Sequence, residues 1–232
     1  MKFMETSIII RVKNERENLK KLFTILKNQT NQDFEIVIVN NNSTDGSEEV
    51  TFDYFPKDRV RVINIDKFSY PKACNLGAEN ARGKYLVYIS AHSFPISNTW
   101  LADGLSNFTD DNIAGVFAYP MKKLFQSSFA EMVGSVANII KAPTKSTKRG
   151  ELGNTNSIIR RDLWEKHKFD ESLIAGSEDY EWSRYWRYKG YLIVNDPKFR
   201  VYHSHHLGFL GIIEEKLKWK KQRGEINKKF ET

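Results

Sequence analysis

Lys84-Tyr85-Leu86-Val87-Tyr88-Ile89-Ser90-Ala91-His92-Ser93-Phe94-Pro95 is an apolar run that stops at a short polar cluster with a proline behind it. Such a run reads as a buried strand, and in α/β proteins ligands bind at the carboxyl end of such strands. Working outward toward the N-terminus, Thr6 to Val12 (TSIIIRV), Phe34 to Asn40 (FEIVIVN) and Val60 to Ile65 also read as strands, each followed by a helix-like stretch. Glu15 to Lys27 places Leu19, Leu22, Phe23 and Leu26 at i, i+3, i+4 and i+7, the pattern of an amphipathic helix. Tyr70 to Asn80 reads as a helix carrying Ala73, Cys74, Leu76 and Gly77. Strands alternating with helices predict an α/β fold with a Rossmann-like, mostly parallel sheet flanked by helices.

Toward the C-terminus the pattern is less regular. Trp100 to Phe108 reads as a helix, Ile113 to Met121 as a strand and Phe125 to Lys141 as a helix. Lys141 to Gly153 (KAPTKSTKRGELG) is basic and turn-rich, a mobile loop by composition. Ser177 to Tyr188 reads as a helix with Ser177 as its N-cap, and Tyr191 to Asn195 and Arg200 to Tyr202 as short strands. The expected organisation is one domain over residues 1–211 and a basic helical tail over 212–232. In that tail Leu217, Trp219 and Ile226 interleave with Lys216, Lys218, Lys220, Lys221, Arg223, Lys228 and Lys229. A basic amphipathic helix of this kind lies on an anionic membrane surface, or is simply a solvated helix end.

The 232 residues suffice for one α/β core, and no apolar run approaches the roughly 20 residues needed to span a bilayer. The N-terminus shows no signal-peptide pattern, and a single cysteine, Cys74, suits a reducing cytoplasm and buried packing. The net charge of +7 favours anionic partners such as nucleotide phosphates or an acidic membrane face. Nucleic acid ranks low, because the cations cluster in one loop and the tail. A dinucleotide oxidoreductase ranks lower still, since Gly-x-Gly-x-x-Gly is absent after the first strand.

Six segments in order carry a resemblance: Ile8 to Glu15, Val37 to Gly46, Asn75 to Ala78 with Ala81 to Tyr85, Ser90-Ala91-His92, Glu178 to Trp182, and Tyr202 to His206. Together the chain resembles a family 2 glycosyltransferase with the GT-A fold. The resemblance implies an inverting enzyme that moves a sugar from a nucleotide-sugar donor to a saccharide or lipid-linked acceptor. It implies a role in bacterial surface polysaccharide assembly, and peripheral contact with the inner membrane face through the basic tail. That family carries Asp-x-Asp where this chain has Ser90-Ala91-His92, so the resemblance puts His92 at a metal-ligand position, for a divalent cation (Mn or Mg). Imidazole suits transition metals, whereas magnesium prefers oxygen. A late histidine completes the metal site in related enzymes. Alternation along Val201 to His205 puts His203 and His205 on one face, with His203 preferred.

Glu178 and Asp179 are the catalytic candidates, with Asp179 the general base by the same resemblance; both also suit a helix N-terminus, where acids complement the dipole. Arg11, Lys13, Asn14, Asn40, Asn42, Asp45, Lys72, Asn75, Ser90 and Ala91 surround the nucleotide-sugar. Arg11 or Lys13 approaches the phosphates, and Asn40 faces the base with an amide that both donates and accepts. Asn154 and Asn156 read sugar hydroxyls or form a turn, and Trp182 stacks on a sugar or fills the core. The competing expectation is a glycosyltransferase-like module that has lost its metal carboxylates and only binds nucleotide or scaffolds a partner.

Overall fold

The computed structural model describes residues 4–122, 132–133, 136, 140, 144–147, 150–173, 176–204 and 209–230, the side chains of 209–213, 215, 216 and 218 excepted. Strands β1 (Thr6–Val12), β2 (Phe34–Asn40), β3 (Val60–Asn64) and β4 (Tyr85–Ser90) run parallel in the order β3-β2-β1-β4. Their side chains alternate between two faces. Ile8, Ile10, Ile36 and Ile38 pack under helix α1 (Arg16–Lys27), which buries Leu19, Leu22, Phe23 and Leu26 as its spacing predicts. Ile9, Val37, Val39 and Tyr88 pack under helix α3 (Tyr70–Asn80). Buried on both faces, β1, β2 and β4 need continuous apolar runs, which is why they are legible, whereas the edge strand β3 is only partly buried.

Two glycines are required by close approach. A Cβ on Gly77 would lie 2.4 Å from Ile9 Cγ2, and one on Gly83 would lie 2.6 Å from the backbone nitrogen of Ser7. Gly83 brings its own N–H within 2.8 Å of Ser7 Oγ, which itself donates to the fully buried Glu35 at 2.6 Å. Arg82 completes this network with Nε 2.6 Å from Glu35 Oε2. A buried carboxylate persists only when paired in this way.

Among the described residues the sheet has seven strands. Beyond β4 come β7 (Asn156–Arg160), β6 (Ile113–Phe117) and β8 (Leu192–Asn195). Only β7 is reversed: it runs antiparallel to both β4 and β6, while β8 parallels β6. The start of β7 therefore lies at the same edge as the end of β4, with Ile89 opposite Asn156. Past β4, the chain enters β5 (Phe94–Pro95), which pairs antiparallel with β9 (Val201–Tyr202) as a small ribbon. The helices are completed by α2 (Glu49–Tyr54), α4 (Trp100–Leu105), α5 (Arg161–Lys166), α6 (Glu178–Tyr188) and α7 (Phe209–Lys228). None of the described helices is long and apolar enough to cross a membrane.

Several expectations need correction. The strand read as Ile113 to Met121 ends at Phe117, with Met121 making only a bridge to Tyr202. The helix read to Phe108 ends at Leu105, and β5, with its pairing to the strand read at Arg200 to Tyr202, was not anticipated. Ser177 precedes α6 but does not cap it: its backbone is left-handed (φ 77°) and its side chain makes no capping bond. Most of the helix expected over Phe125 to Lys141 and much of the following loop lie outside the described residues; residues 132, 133, 136 and 140, which are described, are helical. In α7, Ile226 is buried while Leu217 is exposed, because nine residues of helix put them on opposite sides. The apolar residues of the tail therefore do not form one face.

Candidate active site

At the carboxyl edge of β4, two buried carboxylates meet one buried guanidinium. Glu178 and Asp179 open α6 and are 2 % and 9 % exposed. The left-handed pair Gly176 (φ 101°) and Ser177 turns the chain into this helix. Asp179 Oδ2 accepts the backbone N–H of Asn154 at 2.9 Å, and Oδ1 accepts that of Tyr180 at 2.7 Å. Glu178 Oε1 accepts the Asn154 side-chain amide at 3.1 Å and lies 3.9 Å from Arg11 Nη1. Arg11, from β1, also donates to the Asn154 carbonyl at 3.0 Å and lies over the Tyr70 ring at 5.4 Å. Asn154 stands just before β7, and the carbonyl of the intervening Thr155 accepts from Ser90 N–H at 3.4 Å. One short segment thus links the end of β4 to the start of α6.

Burial dominates the electrostatics. It pushes the Glu178 carboxyl up to about 7, with the adjacent Asp179 charge adding to the effect and Arg11 opposing it. Asp179 is also raised, by burial first, against its two backbone donors, Arg11 and Arg223. Cys74 is buried beside Arg11 and its thiol is pushed up to about 12, so it is no nucleophile.

The second cluster is a pair of imidazoles. His92, two residues past β4, stacks on His203, one residue past β9, with ring centroids 4.8 Å apart and planes 19° apart. His92 Nδ1 is 2.9 Å from Glu15 Oε1, and His203 Nδ1 is 2.9 Å from Ser93 Oγ. Burial alone would raise the Glu15 carboxyl, but hydrogen bonds from His92 and Asn18 hold it below its ordinary value. Each ring makes a hydrogen bond through Nδ1, and a carboxylate behind a histidine, as Glu15 is behind His92, is the usual outer support of a metal ligand. Among the described residues no group of three His, Cys, Asp or Glu side chains forms a metal site. Two imidazoles are donors of the kind that suit a transition-series cation and not magnesium, but alone they would leave most of such an ion's coordination to other ligands. His205 lies outside the described residues.

The other expected residues divide. Lys13, Asn14 and Asn42 are exposed on the loops after β1 and β2, and Lys72 is half-buried on α3. Asn14 and Asn42 adopt positive φ (54° and 52°), and Asn14 Oδ1 accepts Thr44 N–H at 2.8 Å, lacing the two loops together. Asp45 receives the N–H of Arg16 and of Ser47, at 2.9 and 3.0 Å, which makes it a brace of that loop. Ser90 is 8 % exposed and Ala91 packs into the core at 1 %.

Five readings are corrected by burial and bonding. Asn40 turns inward, its amide donating to Asn64 at 2.9 Å and accepting Ser43 N–H at 3.1 Å, so it closes the loop instead of facing a base. Asn75 accepts from Trp164 at 3.0 Å and Phe169 N–H at 3.1 Å and donates to the Phe169 carbonyl at 2.9 Å, tying α3 to the chain beyond α5. Asn156 accepts from Trp100 Nε1 at 3.1 Å and donates to the Phe199 carbonyl, and at 1 % exposure it lies out of reach of a sugar. Trp182 is fully buried and donates to the His167 carbonyl at 2.8 Å, so it is a core residue and cannot stack on a sugar. Arg11 pairs with Glu178 in place of phosphate. The sequence reading missed Glu15 and Ser93 as supports of the histidines. The signal for Glu15 was present in the quoted Lys13-Asn14-Glu15 run, whereas Ser93 carries none.

Comparison with known proteins agrees with this architecture. The family described as Glycosyl transferase family 2 matches residues 7–168. Glycosyltransferase AglE of Haloferax volcanii is 27% identical over 198 residues, 81% of this chain and 63% of the relative. The putative glycosyltransferase EpsH of Bacillus subtilis is 26% identical over 191 residues, 77% of this chain and 54% of the relative. The chain thus spans little more than half the length of these relatives. Among solved structures, mannosyltransferase PcManGT from Pyrobaculum calidifontis in complex with GDP-Man and Mn2+ superposes with a TM-score of 0.70 at 16% identity, over 91% of this chain and 59% of that one. S. aureus TarS 1-349 in complex with UDP-GlcNAc gives 0.63 at 19% identity, over 88% and 60%. The mostly parallel sheet, its one reversed strand and the family match over residues 7–168 lead to one assignment: the chain has the GT-A fold and belongs to glycosyl transferase family 2.

Proposed function

We propose that the chain is an inverting glycosyltransferase that moves a sugar from a nucleotide-sugar donor to a hydroxyl of a saccharide or glycolipid acceptor, in bacterial surface polysaccharide assembly. The observation that carries this reading is the buried Glu178–Asp179 pair beside Arg11 at the ligand edge of the sheet. Asp179 is the general base. It takes the acceptor hydroxyl's proton as that oxygen bonds to the anomeric carbon and the bond to the diphosphate breaks. Burial raises its proton affinity, and the two backbone N–H groups fix its orientation. Burial and the neighbouring charge raise Glu178 to about 7 and raise Asp179 as well, so the two carboxylates resist ionising together beside Arg11.

His92 and His203 are the residues that would hold a divalent cation, which when bound neutralises charge on the leaving diphosphate. Lys13, Asn14, Asn42 and Lys72 form the accessible rim for the nucleotide, and Asn154 positions the carboxylates. A neighbouring structure bound to GDP-Man and Mn2+ and another bound to UDP-GlcNAc support a nucleotide-sugar donor and a cation. The exposed Leu217, Lys220, Lys221 and Lys228 of α7 support peripheral contact with an anionic membrane face.

The test is release of nucleoside diphosphate from UDP-GlcNAc and GDP-mannose, with and without Mn2+, by wild type and Asp179→Asn. Loss of turnover by about 100-fold or more in the variant, with donor binding retained, is the expected result. Equal turnover by both proteins removes Asp179 from the role. The absence of a carboxylate at positions 90 and 92 favours a second reading, a module that binds nucleotide without turnover. That reading predicts Mn2+-dependent thermal stabilisation by the donors and no diphosphate release from wild type.

A further inference from the structure

Helix α7 grips both pieces of chain that hold Asp179. On one side is Ser177, the residue before α6, whose φ of 77° lies in the left-handed region. The other two described non-glycine residues with positive φ are asparagines, which tolerate that conformation far better than serine does. The Ser177 hydroxyl makes its bond to Gln222 Oε1 of α7, at 3.1 Å. On the other side is Glu151, which accepts from Arg223 Nη1 at 3.1 Å. Glu151 opens the short segment whose Leu152 N–H donates to Ser183 Oγ and whose Asn154 N–H donates to Asp179 Oδ2, both at 2.9 Å. The Arg223 guanidinium lies 4.6 Å over the Tyr180 ring, and the Tyr180 hydroxyl donates to Asn227 at 2.8 Å. Ile226, 1 % exposed, anchors the helix between these contacts.

We propose that Gln222 and Arg223 are positioning residues for the Asp179 carboxylate, so that α7 is a working part of the catalytic unit. The proposal rests on the reading of Asp179 as the base. A strained backbone persists only where its surroundings over-determine it. Without the Gln222 contact, Ser177 relaxes and the first turn of α6 rotates away from the Asn154 N–H. Without Arg223, the Glu151–Asn154 segment loses its tie. A displacement of about 1 Å at a reacting group costs on the order of 100-fold in rate. Charge acts in the same sense. The groups facing Asp179 are Arg11 from β1, Arg223 from α7, Glu178 beside it, and the N–H groups of Asn154 and Tyr180. Removing the Arg223 cation therefore moves the Asp179 titration to higher pH.

The experiment uses the full chain and needs no known donor for its first two readouts. Carboxyl 13C NMR follows the Asp179 titration, assigned with Asp179→Asn, and amide hydrogen exchange follows residues 177–183. Arg223→Ala should raise the Asp179 midpoint and speed exchange of that stretch by about 10-fold or more. Gln222→Ala, which removes no charge, should speed exchange and leave the midpoint unmoved. Where UDP-GlcNAc or GDP-mannose is turned over, both variants should lower kcat at least about 10-fold with donor KM within about 2-fold. If both variants keep the wild-type midpoint and exchange rates, the positioning role is overturned. If Arg223→Ala fails to fold, exchange in Gln222→Ala decides. If the positioning readouts move but Asp179→Asn turns over donor at the wild-type rate, the base assignment falls and the positioning of this carboxylate stands.

Discussion

Replacing Glu178 by glutamine should make the protein more stable above neutral pH while impairing it as an enzyme. A carboxyl that ionises at 4.5 in the unfolded chain and at about 7 in the fold makes its charged form about 3 kcal/mol less favourable when folded. The sign follows from the raised value. The proton is bound more tightly in the fold, so this contribution is complete below pH 4.5, declines as pH rises toward 7, and is gone above it. Glu178→Gln cannot ionise, and its amide oxygen can still accept from Asn154, as Glu178 Oε1 does at 3.1 Å. What is lost is the attraction of Arg11, at 3.9 Å. The net gain over wild type at pH 8 should be about 1–3 kcal/mol, shrinking by about 2 kcal/mol at pH 5. Urea unfolding of both proteins at pH 5, 6, 7 and 8, analysed for the midpoint at constant m, measures this. A variant less stable than wild type at pH 8 would refute the reasoning, because it would mean that the Arg11–Glu178 attraction outweighs the burial of the carboxylate.

His92→Ala should abolish the part of nucleoside diphosphate binding that depends on Mn2+, read by calorimetry with and without EDTA; wild-type turnover indifferent to EDTA would end the metal assignment. Trp182→Ala should cost about 3–5 kcal/mol of stability and leave donor and acceptor KM unchanged, whereas a raised KM at unchanged stability would restore the sugar-stacking role. Gly83→Ala should destabilise by about 2 kcal/mol or more, since its methyl meets the Ser7 backbone at 2.6 Å, and a neutral melting temperature would contradict that contact. Truncation after Gly211 removes Ile226 and Arg223, so it should lower both the melting temperature and activity on a soluble acceptor; full activity there would return α7 to the status of an appendage.

Strands β1, β2 and β4 were legible because each is buried on both faces and so reads as an apolar run, whereas the partly buried edge strand β3 reads through its β-branched residues. Strand β7 was less legible: Ser157 is buried inside it, and nothing local marks a strand as reversed. Strand β5 has only two residues, too few for any pattern. At the site, residue type located the carboxylates and histidines that the fold brings together, since a carboxylate pair opening a helix is rare in a core. The asparagines misled. A buried amide that is satisfied by Trp100 and Phe199, as in Asn156, is indistinguishable in sequence from one that faces a ligand. Trp182 misled for a related reason, because an indole with a polar tip serves a core as well as a sugar.

The single reversed strand has an evolutionary corollary. Antiparallel neighbours such as β6 and β7 can be joined by two residues. Here the chain leaves β6 at Phe117 and re-enters at Asn156, and both points lie on the edge where Asn154 meets Asp179. Nothing in the ladder between the two strands depends on how long that excursion is or what it contains. Within that excursion Glu151, Leu152 and Asn154 are held by Arg223, Ser183 and Asp179, and Ser146 bridges to Asn195, so those positions are fixed. Insertions and substitutions between these fixed points leave the parallel ladder of β1 to β4 untouched and alter what stands beside the carboxylates. The fold thus keeps its chemistry on one side of a seam and offers the other side as exchangeable cargo, where a new acceptor preference can be acquired without refounding the core.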